Sequence, residues 1–341
     1  MNSLGTDAPR PARQWRQVVA PYERPSNARA AVQLACTWIP LVAVFWLMHR
    51  ALATSVWIAL ALAVPAAGLL VRTFIVMHDC GHGSFSASRR INGIVGWIAG
   101  VMTLTPYAQW RRDHALHHAS SGDLDRRGHG DVKTLTVREF NTLSPRARLA
   151  YRLMRHPAVL FGIGPVHLMV SQRVRPKGTP LLDPETRSVW STNLGIACLC
   201  AAGVLLFGWR ATLLMYLPAI YLAGAAGIWL FYVQHQFEAT YWEPHEEWDY
   251  LTASIRGSSY LALPAVLRWF TGDIGVHHVH HLSPRIPNYR LQRCHDENPI
   301  FHDVTTLRPR DTWRTLSLAL WDEECGRLVS FAHARDRRLL A

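Results

Sequence analysis

Three short stretches of this sequence set histidines at spacings that bring imidazoles together. In HDCGH, His78 and His82 are four apart. In HALHH, His114, His117 and His118 stand at i, i+3 and i+4, and in HHVHH, His277, His280 and His281 repeat that pattern. Residues three and four apart share a helix face, so each stretch presents its rings in one direction. His278 is turned ~100° from His277 on a 3.6-residue helix and falls off the shared face. It reads as a non-ligand, with a register through His278 and His281 as the open alternative. Imidazole is the commonest metal ligand and suits Zn, Cu, Fe and Ni. Eight imidazoles exceed what one tetrahedral zinc uses, and zinc brings no redox chemistry. The expectation is therefore two iron ions with positions open to O2. Soluble carboxylate-bridged diiron bundles place Glu and Glu-x-x-His on their helices, and neither HxxHH stretch has such a Glu.

Four apolar stretches must position these rings: about 30–48, 54–77, 192–207 and 211–233. A helix needs ~20 apolar residues to cross a bilayer, and the short breaks at His49–Arg50 and Gly208–Arg210 join the stretches as two hairpins. The fold class expected is an all-α integral membrane protein with four transmembrane helices. Pro40, Pro65 and Pro218 are tolerated in such bundles. The stretches Ile91–Thr105 and Val159–Val170 are short for spanning and read as interfacial or re-entrant helices. Trp38, Trp46, Trp57, Trp209 and Trp229 fit interfacial belts or simple packing.

The 341 residues carry a net charge of +12, and every basic residue except Lys133 and Lys177 is an arginine. That bias suggests a GC-rich bacterial source. The two inter-helix turns hold one arginine each, Arg50 and Arg210, so the positive-inside rule places both termini and about 78–190 in the cytoplasm. Arg72, near the end of the second stretch, is expected to snorkel or to lie beyond the lipid. No nucleic-acid motif accompanies the charge, so nucleic acid is excluded as a partner. The six cysteines form no disulfide framework and read as reduced thiols. Residues 1–29 are polar, aperiodic and rich in Pro and Arg, which suggests a flexible cytoplasmic tail without a signal peptide. The membrane domain is expected over 30–298 and a cytoplasmic C-terminal segment over 299–341.

From about Ala30 to Asn298 the sequence resembles the membrane fatty acid desaturase family, in particular bacterial acyl-lipid desaturases of the Δ12/ω6 and Δ5 types. The resemblance lies in MHDCGHGSF (77–85), WRRDHALHH (110–118), FYVQHQFEATYW (231–242) and GDIGVHHVHHLSPRIPNYRLQ (272–292). It implies four transmembrane helices with a cytoplasmic helical cap that holds two irons. It also implies a further ligand after the last span, which His235 matches. The family commonly has Asn where this chain has Asp273, four residues before His277, where a carboxylate could bind a metal-bound water. Asp79, Asp113 and Glu238 lie beside candidate ligands and could orient imidazole N–H groups, or be ordinary helix-surface charge; Asp113 could equally pair with Arg112.

The resemblance implies an O2-dependent desaturase that places a cis double bond in a lipid-linked acyl chain, in the bacterial inner membrane with its site on the cytoplasmic side. Removing hydrogen from an unactivated methylene needs an oxidant stronger than any side chain, so the metals carry that chemistry. No side-chain base is nominated. The chain has no CxxCH, GxGxxG or HPGG, so electrons must come from a separate donor. An acidic ferredoxin-like carrier suits the basic face, although topology and anionic headgroups also account for arginines there. The rivals are a lipid hydroxylase or ketolase on the same scaffold, a membrane zinc hydrolase and a metal transporter. The hydrolase would strand most of the histidines, and the transporter would want ligands at mid-membrane.

Overall fold

In the computed structural model, which describes residues 11–128, 130–174, 180 and 183–334 (side chains from residue 15 onward), the chain is mostly helical. A short helix α1 (Pro11–Val19) precedes α2 (Asn27–Leu52), which Ser26 caps by accepting from the Arg29 amide at 3.4 Å. After three intervening residues α3 (Val56–His82) begins, capped by Ser55, and it packs along α2. It ends at Gly83, whose φ of 71° is cheap only for glycine. Next come α4 (Arg89–Met102), α5 (Tyr107–Ser120), α6 (Val137–Thr142), α7 (Pro145–Arg155) and α8 (Gly164–Ser171). After α7 the chain bends by 64° into an arm, Val159–Ser171, that begins with a π turn at Val159–Ile163 and continues as α8. Then α9 (Pro184–Phe207) and α10 (Trp209–His235) are divided at Gly208, with φ 80°. Shorter helices follow: α11 (Tyr250–Arg256), α12 (Ala265–Thr271), α13 (His277–Leu282) and α14 (Asn288–Glu297).

By length and composition α2, α3, α9 and α10 are able to cross a membrane. Hydropathy alone places the ends of α3 and α10 at about 77 and 233, yet both run further. Nothing in MHDCGH or VQH breaks a helix, so α3 continues through His78 and His82 and α10 ends on His235. The stretch 91–105 is mostly α4, one-sided: it buries Asn92, Val95 and Ala99 and exposes Ile91, Ile94 and Trp97.

Arg72 does not snorkel. Only 8% exposed, it donates through Nε to Thr37 Oγ1 at 3.1 Å and through Nη1 to the Trp269 carbonyl, and its guanidinium lies 4.3 Å from the Trp269 ring centroid. It therefore fastens α12 to α2 and α3. Gly68 completes this seat, because a Cβ there would meet the Phe270 ring at 2.6 Å.

Among the described residues five short strands accompany the helices: β1 (Leu135–Thr136), β2 (Tyr260–Leu261), β3 (Thr306–Leu307), β4 (Leu318–Asp322) and β5 (Arg327–Ser330). In one sheet β4 lies between β1 and β5; in the other, β2 and β3 pair in parallel. These strands bind the C-terminal segment to the rest. Tyr151 Oη donates to Ala319 O at 2.7 Å, and buried Arg155 donates to Leu318 O at 3.0 Å and Gln236 Oε1 at 2.6 Å. At the other terminus, residues 1–10 of the expected tail lie outside the described residues, as do 335–341 of the C-terminal segment. From α1 onward the tail region is docked: Val19 is buried with Val279, Ile286 and Leu291, and Ser283 Oγ donates to Glu23 Oε1 at 2.7 Å.

Candidate metal centre

Four helix segments deliver the histidines. The end of α3 supplies His78 and His82, and α5 supplies His114, His117 and His118. The last residue of α10 is His235, and α13 supplies His277, His280 and His281. One nitrogen from each of His78, His82, His114, His118 and His280 lies within 4.8 Å of the others, and the same holds for His117, His235 and His281. His277 joins the second group, with its Nε2 3.0 Å from His235 Nε2. The groups adjoin: the His118 ring stacks on His281 with centroids 4.2 Å apart.

The nitrogens face one another. Nε2–Nε2 separations are 3.1 Å for His114–His118, 3.0 Å for His118–His280 and 3.3 Å for His117–His235. Among the described residues, the buried Nε2 atoms of His82 and His281 have no hydrogen-bond partner. A neutral imidazole carries one N–H and one lone pair, so rings converging in this way cannot all satisfy each other. Cations among them would. Burial, reinforced by neighbouring histidines, holds His118, His277, His280 and His281 well below the usual histidine range. They therefore stay neutral, the form that binds metal.

The surroundings of the rings are unequal. Asp131 Oδ1 lies 2.6 Å from His117 Nδ1, and the His235 Nδ1–H donates to the Gly257 carbonyl at 3.1 Å. Gly257 is required there, since a Cβ would lie 2.4 Å from Ala253 O. Asp79 Oδ1 is 3.2 Å from His78 Nδ1, while its Oδ2 accepts from Asn288 N at 2.6 Å and Asn288 Nδ2 at 2.8 Å. Trp110 stacks on His114 at 4.4 Å, and Phe231 packs on His117 at 5.2 Å.

Other candidates lie elsewhere. Glu238 pairs with Arg327 at 2.8 Å, Asp273 pairs with Arg268 at 2.7 Å, and Asp113 is exposed. Asp273 belongs to a left-handed turn (φ 54°) ahead of α13, not to the helix that carries His277. His278 is fully buried and meets His295, Nε2 to Nδ1, at 3.2 Å. Asp131 is the residue that spacing missed, being 14 positions from its partner in a loop. The signal available was the pair of glycines beside it. Gly128 and Gly130 have φ of 101° and 71°, and a Cβ on Gly130 would approach His117 Cβ to 3.6 Å.

This geometry meets close relatives. A model of the fatty acid desaturase family matches residues 55–306. A fatty acid desaturase of Bacillus subtilis (strain 168) is 43% identical over 320 residues, covering 94% of this chain and 90% of the relative. The sn-1 acyl-lipid omega-3 desaturase (ferredoxin) of Synechocystis sp. is 28% identical over 73% of this chain and 69% of its own length. The chloroplastic omega-6 fatty acid desaturase of Arabidopsis thaliana is 28% identical over 72% of this chain and 54% of its own. With helices able to span a membrane and histidine groups able to bind metal, the chain belongs to the fatty acid desaturase family and is an oxidoreductase.

Proposed function

We propose that the chain introduces a cis double bond into a lipid-linked fatty acyl chain, using O2 and electrons from a separate donor. The observation that carries this reading is the division of nine histidines into two adjoining groups whose ring nitrogens converge. His78, His82, His114, His118 and His280 would hold one iron; His117, His235, His277 and His281 would hold the other. Iron bound there supplies the O2 activation and oxidising strength that an unactivated methylene demands and that side chains lack.

The residues contribute position and dryness. Asp131 and the Gly257 carbonyl fix the outward nitrogens of His117 and His235, which sets tautomer and ring direction. Asp79 contributes one oxygen to His78 and uses the other to tie α3 to α14. Trp110 and Phe231 cover the rings and keep water away. No side-chain base is assigned.

In this reading α2 with α3 and α9 with α10 are two membrane hairpins within a 30–298 desaturase domain, followed by the 299–341 segment. The remaining helices form a cytoplasmic cap at the ends of α3 and α10. Sparse arginine in the two turns supports that orientation, in a bacterial inner membrane. The names of relatives support an acyl-lipid substrate and a ferredoxin-like donor, and a net charge of +12 suits an acidic carrier.

The test is expression in a bacterium that lacks the product, followed by mass spectrometry of fatty acid methyl esters. A new monounsaturated or further unsaturated species is expected, and its double-bond position gives the regiochemistry. An unchanged profile, with iron and donor confirmed present, sinks the proposal. Oxygen retained in the lipid would identify a hydroxylase or ketolase instead.

A further inference from the structure

We propose that an open groove beside α12 seats the phosphate headgroup of an anionic glycerophospholipid, the form in which the acyl chain is presented. Because β2 and β3 pair in parallel, the segments that leave them run side by side, with Ala262 N donating to Leu307 O at 2.8 Å. Ala262, Leu263, Pro264, Arg308, Pro309 and Arg310 line the groove between them.

Packing holds the groove against the spanning helices. Leu261 and Leu263 belong to the same buried cluster as Leu69 and Leu70 of α3 and Met215 of α10, and Leu307 and Leu316 pack on it. The adjoining α12 is pinned at the level of Gly68 and Arg72. Its outer residues are apolar and uncovered: Val266 is 68% exposed, Leu267 45% and Trp269 40%. A face of that kind beside spanning helices faces lipid, and nearby exposed Trp313 suits the interface. Polar groups beside that face stand at headgroup depth.

Those polar groups are arginines. Arg308 and Arg310 line the groove, and Arg314 follows one turn later; all three are exposed. The local acid is Asp311, which accepts from Arg308 N at 3.1 Å and lies 3.9 Å from Arg310 Nε. Among the described residues, no ion pair joins a carboxylate to Arg308 or Arg314. Guanidinium forks match phosphate oxygens, and an anionic leaflet adds attraction. The strand that leads into the groove also pairs with the segment before the histidines: Leu261 N donates to Gly275 O at 2.8 Å, and Tyr260 bridges Val276, which leads directly into His277.

This inference rests on the membrane placement proposed above and names headgroup chemistry for its substrate. The test uses the full iron-loaded chain and its Arg308→Gln/Arg310→Gln/Arg314→Gln variant in bilayer discs. The probes are phosphatidylglycerol, phosphatidylcholine and inorganic phosphate, and lipid retained after extraction into detergent is counted by native mass spectrometry. The wild type should retain phosphatidylglycerol over phosphatidylcholine. At roughly fivefold per arginine near an anionic surface, the variant should lose that preference by more than about tenfold, whereas exposed Arg146→Gln should keep it. Equal retention by variant and wild type, no preference between the lipids, or displacement by millimolar inorganic phosphate would overturn the site. Retention is read without turnover. A chain that holds phosphatidylglycerol but desaturates nothing supports the groove and sinks the catalytic reading; one that will not enter bilayers sinks both.

Discussion

Around His78, His82, His114, His118 and His280 the rings are held chiefly by other rings, whereas His117 and His235 in the second group are held by acceptors outside it. In the first group Trp110 stacks on His114, and the buried Nδ1 atoms of His118 and His280 have no partner among the described residues. Among the described residues only His78 of this group meets a carboxylate, and much of that carboxylate serves Asn288. In the second, Asp131 and the Gly257 carbonyl each take an outward nitrogen. The first group thus rests chiefly on ring-to-ring packing, whereas two rings of the second also rest on acceptors from loops folded back onto them; His277 Nδ1 has no partner among the described residues, as in the first group. Loss of a ring should damage the first group most, and loss of an acceptor the second.

The largest effect is expected for His118→Ala. Its Nε2 lies 3.1 Å from His114 and 3.0 Å from His280, and its ring stacks on His281, so it touches both groups. Activity should fall by roughly a thousandfold or more, as when a member of a catalytic unit is removed. Iron measured by plasma mass spectrometry should drop to one per chain or fewer. Full activity with two irons would end the claim that His118 joins the groups.

Acid should act on both groups alike. Burial holds His118, His277, His280 and His281 below their ordinary value of 6.5. The unfolded chain therefore binds protons near pH 6.5 that the folded chain refuses. Stability of the metal-free protein should be level above that pH and fall below it, by up to about 1.4 kcal/mol per histidine per pH unit. Thermal unfolding in detergent between pH 8 and pH 5 checks the sign; a midpoint that rises on acidification would contradict it.

Asp131→Ala separates the groups. Removing an outer acceptor from a ligating histidine typically costs about 10- to 100-fold in metal affinity. Chelator competition should strip one iron early and leave the other near wild-type affinity, with the acid sensitivity unchanged. Equal weakening of both irons would mean that the two groups are not built differently.

The sequence shows the first group more readily than the second. HDCGH and HALHH lie on helices, where i, i+3 and i+4 spacing translates directly into a shared face, and the same rule turns His278 away. The acceptors of the second group are invisible to that rule. Asp131 approaches His117 through a loop shaped by left-handed glycines, and Gly257 contributes a backbone carbonyl that no residue type announces. The small sheets were hidden for a related reason: β1, β2 and β3 are two residues long and exist only through pairing with distant partners. The helix extensions were hidden because hydropathy detects lipid exposure, whereas α3 and α10 stop only at Gly83 and Gln236.

The smallest effects are expected where sequence proximity to a ligand does not become contact. Asp273 stands four positions before His277 but spends its carboxylate on Arg268, in a part-exposed pair of the kind worth about 0–1 kcal/mol. Asn tolerates the same left-handed backbone, so Asp273→Asn should lower the thermal midpoint slightly and leave iron content and turnover within about twofold, as expected for a lost surface pair. Glu238→Gln, which releases an exposed Arg327, should do even less. The informative comparison is with Asp131→Ala measured side by side. If Asp273→Asn strips iron to the same extent, its carboxylate leaves Arg268 for the centre when metal is bound, and the second group has an additional support arriving from the turn before α13.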